Sequence, residues 1–249
     1  MDELDVVRRA EDANYLHSRK LLAEASALVQ EFVGLYAGLG DMIRRRVKGR
    51  TLVAVMAAQA LMGCRTDLVL GALAALRGHI NDSFFYSRRA IEFCAFASAV
   101  SREPKLIDIW KDAGRDRPAY NKYLRTFRSE KLFPEGHRFL KDLQSRFDTA
   151  SKYAHPSPYA FAGRVATDSR DIELSLTFDY FQVGDQDPSE PVRTMLWLLN
   201  THLMVIFVFE EFLGDAPGKD KDAWVKRREA AIALLTQQQK TWAKVIRGG

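Results

Sequence analysis

The sequence predicts a mainly α protein, a multi-helix bundle with one inserted antiparallel β-hairpin. Apolar residues recur every three or four positions along most of the chain, which is typical of amphipathic helices. The spacing changes to strict alternation in one region only, from Ile172 to Tyr180. The 249 residues are 47% hydrophobic, and no repeat or long linker divides them. We therefore expect one helical domain, with N-terminal helices over 1–66, a core over 67–213 and a C-terminal helix over 221–247.

The N-terminal helices follow from apolar spacing and composition. From Leu21 the apolar residues keep the three-and-four spacing, which predicts a helix that reaches about Tyr36. Residues 51–64 are almost wholly apolar, and at this length they predict a core helix and not a membrane span. A longer helix is predicted over about 67–101.

Prolines mark the helices of the central region. Pro104 suits the first turn of a short helix, and Pro118 and Pro134 bracket another. A further helix is predicted from Gly136 to His155, because proline at 156 disfavours α conformation in the residue before it.

The predicted β-hairpin spans about 159–183. Residues 172–180 alternate apolar and polar side chains, residues 161–165 do the same, and 168–171 supply turn chemistry between them. One face of the hairpin should pack on the helices, since an isolated hairpin is marginally stable in water.

Two helices are expected after the hairpin. The first ends at about Leu213 and the second covers about 223–246. Residues 192–209 look membrane-like, but a polar triplet at 200–202 interrupts them, and the stretch between charges is shorter than the roughly 20 residues of a span. We predict the central helix of a soluble bundle.

Composition indicates a cytoplasmic protein that is not associated with a membrane. The N-terminus is acidic where a secretory signal would be basic. Cys64 and Cys94 have no neighbouring cysteine or histidine with metal-ligand or redox spacing, so reduced thiols are expected. No metal or cofactor motif is present in the sequence, and we expect neither. The net charge of +5 sums 37 basic and 32 acidic residues, which by itself does not demand nucleic acid.

One basic cluster stands between two predicted helices. Five cations lie within seven positions, namely Arg44, Arg45, Arg46, Lys48 and Arg50. The cluster is either a solvated turn between helices or a phosphate-binding patch.

Four polar residues fall on the apolar side of the predicted helix over 67–101. They are Arg77, Asn81, Arg88 and Glu92. At about 100° per residue they share an arc of about 60° with apolar residues. Arg88 and Glu92 have the i, i+4 spacing of an ion pair, so one interpretation is a buried pair that fixes helix register. The other is a polar pocket, in which a guanidinium would suit phosphate or carboxylate.

His155 is the candidate catalytic residue from a second helix. At the helix C-terminus its imidazolium would interact favourably with the helix dipole. Alternatively it is a general acid/base, for which its ordinary pKa is suited. Ser151 and Lys152 lie one turn earlier and could share its surface.

The order of these motifs resembles bacterial HEPN-like domains, near the abortive-infection type of unassigned function. It comprises Arg88-xxx-Glu92, a later helix ending Ser151-x-Tyr153-x-His155-Pro156, a hairpin and two closing helices. The resemblance implies an intracellular helical protein of a kind that is often dimeric, in a superfamily where many members cleave RNA in phage defence or as toxins. Those nucleases carry arginine and histidine on one helix with four to six residues between them, and the corresponding positions in this chain are 148–150, none of them arginine. A basic group from elsewhere, such as Lys152, Arg88 or a residue of a second subunit, would have to replace it.

Two functions follow as expectations. The first is an intracellular protein that handles RNA or a nucleotide, with metal-independent RNA cleavage in which His155 is the acid/base and Arg88 or Lys152 stabilises the developing charge. The second is a non-catalytic binding or regulatory module that contacts a partner protein. A pocket that joins His155 to the arginines favours the first, and a closed ion pair favours the second.

Overall fold

The structure of the protein, a computed structural model, describes residues 2–46, 52–154, 165–168, 175–178, 189–214 and 218–247. These ranges are mainly α-helical, as predicted. The helices are α1 (Glu3–Leu21), α2 (Ala23–Arg46), α3 (Leu52–Leu76), α4 (Ile80–Arg102), α5 (Leu106–Asp112), α6 (Arg117–Thr126), α7 (Ser129–Leu132), α8 (Arg138–Ala154), α9 (Ser189–Glu210) and α10 (Lys219–Arg247), with a short 3₁₀ turn at Glu211–Leu213 after α9.

An antiparallel pair, α3 and α4, forms the centre of the bundle. Helices α2 and α9 pack on α3, α8 and α9 pack on α4, and α10 lies against α2 and α9. Side chains from all of these helices meet in one apolar core, in which Leu61, Ile91, Leu143, Val205 and Leu235 are buried. The core therefore packs against α3 and α4 through their inward-facing side chains.

Capping residues explain where two of the helices begin. The Asp2 carboxylate accepts a hydrogen bond from the Leu4 amide at 2.8 Å and starts α1. The Asp116 carboxylate accepts from the Ala119 amide at 2.7 Å, and Pro118 occupies the first turn of α6.

The break between α3 and α4 lies elsewhere than the sequence predicted. A helix over 51–64 followed by another over 67–101 is wrong: α3 continues through residue 66 to Leu76, and the chain turns at residues 77–79. Gly78 has a φ of 85°, a left-handed conformation that favours glycine and ends α3. Arg77 therefore precedes the turn and does not share a helix with Asn81.

Helix α1 was not predicted as a separate element. Tyr15 and Leu21 of this helix pack on the apolar core, and polar groups make further contacts: the Asn14 side chain donates to the Arg77 carbonyl at 3.3 Å, and His79 Nε2 lies 2.6 Å from Glu11 Oε1. Ser18 is also buried. A helix whose inner side mixes polar and apolar residues gives little apolar periodicity to detect.

The inserted β-hairpin of the predicted fold class is wrong, and the class is corrected to mainly α. In the described part of the chain, extended pairing is limited to two four-residue segments, Val165–Asp168 and Ser175–Phe178, which run antiparallel with Val165 opposite Phe178. The rest of the predicted span lies outside the described residues. Alternation shows only that a segment can be extended, and two such short segments do not form an independently stable sheet.

Two helices, α3 and the helix over Ser189–Leu213, are long and apolar enough to cross a membrane by length and composition alone. This is weak evidence, because core helices of soluble proteins meet the same criteria, and here 39% and 61% of the two apolar windows are buried inside the bundle. A cytoplasmic location without membrane association stays a prediction.

Candidate functional site

An aromatic groove lies between the α3–α4 pair and the segment formed by α5 and α6. Its volume is about 450 Å³. We call this site the aromatic groove, and its lining comprises Met56, Gln59, Ala60, Glu92, Phe93, Phe96, Trp110, Tyr123, Leu124, Phe127 and Leu132. Glu92 is the single carboxylate among these residues.

Aromatic rings form a continuous wall of the groove. The ring centroid of Phe96 lies 6.0 Å from that of Trp110 and 5.1 Å from that of Phe127, and Phe127 lies 5.0 Å from Tyr123. Successive rings are tilted by 44° to 48° and are not stacked flat. Opposite them, Phe93 lies against α3, so close that a Cβ on Gly63 would be 2.8 Å from its ring.

Glu92 is the charged group of the groove. Arg88 Nη2 lies 3.3 Å from Glu92 Oε1, and the two side chains are 23% and 44% exposed, respectively. Burial raises the pKa of the Glu92 carboxyl, and Arg88 offsets only part of that rise. Burial, and the Glu92 charge after it, also raise the pKa of Tyr123.

The predicted Arg88–Glu92 pair therefore forms, but it is not the buried pair that the first interpretation expected. The four polar residues that were predicted to share one side of a helix do not line one common pocket. They are Arg77, Asn81, Arg88 and Glu92. The Arg77 side chain is exposed beyond the end of α3, and Asn81 lies in the first turn of α4, seven residues before Arg88. Arg88 itself faces α8, with its guanidinium 5.0 Å from the centre of the Phe147 ring.

The buried ion pair of this region joins Asp67 on α3 to Arg89 on α4. The Asp67 carboxylate is fully buried and accepts hydrogen bonds from Arg89 Nε at 2.9 and 3.1 Å and from Arg89 Nη2. Burial raises the pKa of Asp67, and Arg89 partly offsets the rise. The 22-residue separation of the pair gave no local signal, so sequence reasoning missed it.

His155 lies outside the described residues, and no described geometry bears on its predicted role. Of its proposed neighbours, Ser151 donates to the Phe147 carbonyl at 2.7 Å, and Lys152 is exposed near the end of α8. The structure brings Arg88 to Phe147, one turn before Ser151. RNA cleavage by His155 with Arg88 or Lys152 stays a prediction.

Arg146, the arginine nearest His155 on α8, is engaged in the interior of the bundle. Its Nη1 donates to the Thr201 hydroxyl at 3.1 Å and to the Trp197 carbonyl at 3.4 Å, both on α9. Burial lowers its pKa. It therefore anchors α8 to α9 and is not part of an exposed basic site.

The basic cluster is only partly described, and two of its cations have carboxylate partners. Arg44 pairs with Asp41 at 3.0 Å, and Arg45 pairs with Asp220 at 2.6 Å. The side chain of Arg46 is not described, and Lys48 and Arg50 lie outside the described residues. The described pairs favour a solvated connection between helices over a phosphate-binding patch.

A second surface lies on the outer side of α3 and α4. Five large apolar side chains there are 37% to 47% exposed. We call this surface the α3–α4 face, and it is formed by Leu52, Val55, Met62, Phe85 and Phe93. Phe93 stands at its border with the aromatic groove.

A buried polar pair lies inside the core. His202 Nδ1 on α9 and the Tyr36 hydroxyl on α2 are hydrogen bonded at 2.8 Å, and His202 Nε2 is buried without a hydrogen-bond partner in the described chain. Burial lowers the pKa of His202 to about 3 and raises that of Tyr36. His202 is therefore neutral and inaccessible.

The two thiols are also buried in the core. Cys64 Sγ donates to the Ala90 carbonyl at 3.2 Å, and Cys94 Sγ to the Val205 carbonyl at 3.9 Å. Burial raises the pKa of both thiols. Across the described residues, no group of three or more histidine, cysteine or acidic side chains is arranged to hold a metal ion.

Comparison with known proteins gives no relative. No protein-family model, no curated protein and no solved structure matches this chain. The resemblance to HEPN-like domains therefore has no independent support.

Proposed function

We propose that the protein is a non-catalytic interaction module that acts through the α3–α4 face. The observation that carries this proposal is the incomplete burial of α3. Residues 52–64 of this helix contain no charged side chain, yet Leu52, Val55 and Met62 are 37% to 43% exposed. A helix that is apolar on all sides is normally covered on all sides. The core covers one side of α3, and the other side requires a partner.

A second copy of this chain is the partner that fits the surface. A twofold interface places the same patch on both sides and must therefore be complementary to itself. The uncharged stretch over 52–64 can lie against its own copy without bringing like charges together. Arg89, whose guanidinium lies 5.9 Å from the centre of the Phe85 ring, is already paired with Asp67.

The exposed apolar area agrees with a dimer. The five side chains of the α3–α4 face leave on the order of 400 Å² of apolar surface accessible, at about 200 Å² for a whole side chain. A standard interface buries about 800 Å² per partner, of which somewhat more than half is apolar. The α3–α4 face therefore supplies the apolar part of such an interface.

Sedimentation analysis over a range of concentrations tests this proposal. The wild-type chain should sediment as a dimer, and Met62→Glu should make it a monomer, because each interface would then contain two buried, unpaired carboxylates. The melting temperature of dilute protein should change little, since Met62 is 43% exposed in the single chain.

The matched control is Leu234→Glu, which introduces the same charge at an apolar residue of α10 that is 49% exposed. This variant should remain a dimer. A wild-type chain that is monomeric at every concentration, or a control that dissociates as readily as Met62→Glu, would contradict the proposal.

A further inference from the structure

We infer that the aromatic groove is a binding site for a small organic cation, a substituted ammonium whose charge lies at Glu92. This inference concerns a site beside the α3–α4 face and does not depend on dimerisation. The groove has the three features that such a ligand needs, namely aromatic walls, one carboxylate and a suitable volume.

The walls of the aromatic groove present the faces and edges of several aromatic side chains. Trp110, Phe96, Phe127 and Tyr123 follow one another at centroid distances of 5.0 to 6.0 Å, and Phe93 lies on the α3–α4 side. A cation over the face of an aromatic ring is attracted by the negative charge of that face, most strongly for tryptophan, and quaternary ammonium groups are recognised in this way.

Trp110 is accessible to such a ligand. It is 40% exposed although it contacts Phe96, and Leu124 of α6, which also lines the groove, is 49% exposed. The groove is therefore open to solvent beside Trp110 and Leu124, whereas Ala60 and Met56 of its lining are buried.

Glu92 gives the groove its preference for positive charge. Its carboxylate is partly buried, and burial raises its pKa more than the neighbouring Arg88 lowers it. Arg88 approaches from the α8 side, over Phe147, and is not among the residues that line the groove. The side of Glu92 that faces the rings is therefore available to a second cation.

The volume limits the size of the ligand. About 450 Å³ lies within the usual range for small-molecule sites, which is about 300 to 1,000 Å³. Gln59, at the border with the α3–α4 face, can hydrogen bond to a hydroxyl or carbonyl group on the ligand. An ammonium that carries alkyl groups and one polar group matches this set of contacts.

Titration with choline, followed through the indole N–H signals of the tryptophans, tests the inference. The chain has four tryptophans, and Trp110→Phe identifies the signal of Trp110. The probe for comparison is 3,3-dimethylbutan-1-ol, which has the shape of choline without its charge. Choline should shift the Trp110 signal saturably, and the neutral alcohol should bind at least about fivefold more weakly.

Glu92→Gln should weaken choline binding by about fivefold or more, because it keeps the shape of the side chain and removes its charge. The matched control is Glu31→Gln, since Glu31 is an exposed carboxylate paired with Arg227 at 2.9 Å on another part of the molecule. The control should bind choline as the wild type does.

Three results would overturn the inference: no shift of the Trp110 signal at tens of millimolar choline, equal binding of the alcohol, or unchanged binding by Glu92→Gln. Should Glu92→Gln fail to fold, the comparison of choline with the alcohol on the wild-type chain decides alone.

Discussion

Asp67 and Arg89 differ in how much water each could recover if its partner were removed. The Asp67 side chain is fully buried and the Arg89 side chain is 39% exposed. A guanidinium left alone could turn toward solvent, but a carboxylate left alone could not. The two halves of the same ion pair should therefore respond differently to substitution.

We predict that Arg89→Met lowers the free energy of unfolding by about 3 to 5 kcal/mol, because it leaves an uncompensated buried charge at Asp67. Asp67→Asn should cost only about 1 to 3 kcal/mol, since it removes the charge that needs a partner. Urea unfolding of both variants measures the difference. Equal losses, or a larger loss for Asp67→Asn, would contradict this asymmetry.

Glu92→Ala should have a small effect on stability, which reverses what a buried Arg88–Glu92 pair would imply. Glu92 is 44% exposed, and exposed ion pairs of this i, i+4 type contribute about 0.3 to 0.5 kcal/mol. The melting temperature of Glu92→Ala should fall by a few degrees at most. A large fall would show that Glu92 has a structural role.

The buried imidazole of His202 makes stability depend on pH. The folded chain holds the pKa of His202 at about 3, against about 6.5 in the unfolded chain, so the unfolded state binds the proton first as pH falls. This contribution is complete above about pH 6.5 and is lost progressively below it.

The free energy of unfolding should therefore fall by roughly 1.4 kcal/mol for each pH unit between about pH 6 and pH 4. Urea titrations at several pH values measure the slope. His202→Gln, which keeps a neutral hydrogen-bonding group near Tyr36, should show a flatter dependence. A slope that His202→Gln does not change would assign the effect to other groups.

At the scale of elements, Gly78 permits the turn between α3 and α4. We predict that Gly78→Ala lowers the free energy of unfolding by about 1 to 2 kcal/mol, because its φ of 85° is unfavourable for a residue with a Cβ. Gly114→Ala is the control, since its added methyl group would meet no atom within 4 Å. Thermal unfolding compares them, and equal stability of the two variants would contradict the prediction.

The sequence was informative about elements where one local property decides the structure. Proline and apolar spacing placed α8 within a few residues of its observed bounds, and Pro118 marked the start of α6, but the one short helix predicted between Pro118 and Pro134 is divided into α6 and α7. These local signals failed where contacts between residues far apart in the sequence determine the structure. One example is the predicted break between residues 64 and 67, through which α3 continues to Leu76 while it packs along α4. Alternation over 172–180 indicated a sheet, although it does not by itself provide a partner surface for one.

The same distinction applies to the candidate site. Glu92 was predicted as a candidate site residue because helical spacing, which is a local property, places it among polar residues on the apolar side of the helix. Its aromatic neighbours Trp110 and Tyr123 come from other helices, and no pattern within α4 could indicate them. Asp67 was missed for the same reason, since its partner lies on the next helix.

At the scale of the whole molecule, the two candidate functions, a non-catalytic interaction module and an RNA-cleaving enzyme, predict different effects of the protein on RNA. We predict that purified protein leaves total RNA intact in EDTA, and that His155→Ala behaves as the wild type does. Gel analysis of the RNA is the measurement. Cleavage by the wild type that His155→Ala abolishes would instead support the HEPN-like nuclease and contradict a non-catalytic role.

The two cysteines can report the order in which the helices separate, and no label has to be introduced for this purpose. Cys64 lies between α3 and α4, and Cys94 lies between α4 and α9, both fully buried. A thiol reagent in native buffer can reach either sulfur only after its helix pair opens. Different alkylation rates at the two positions would therefore show which pair opens first, and equal rates would show that the bundle opens as one cooperative unit.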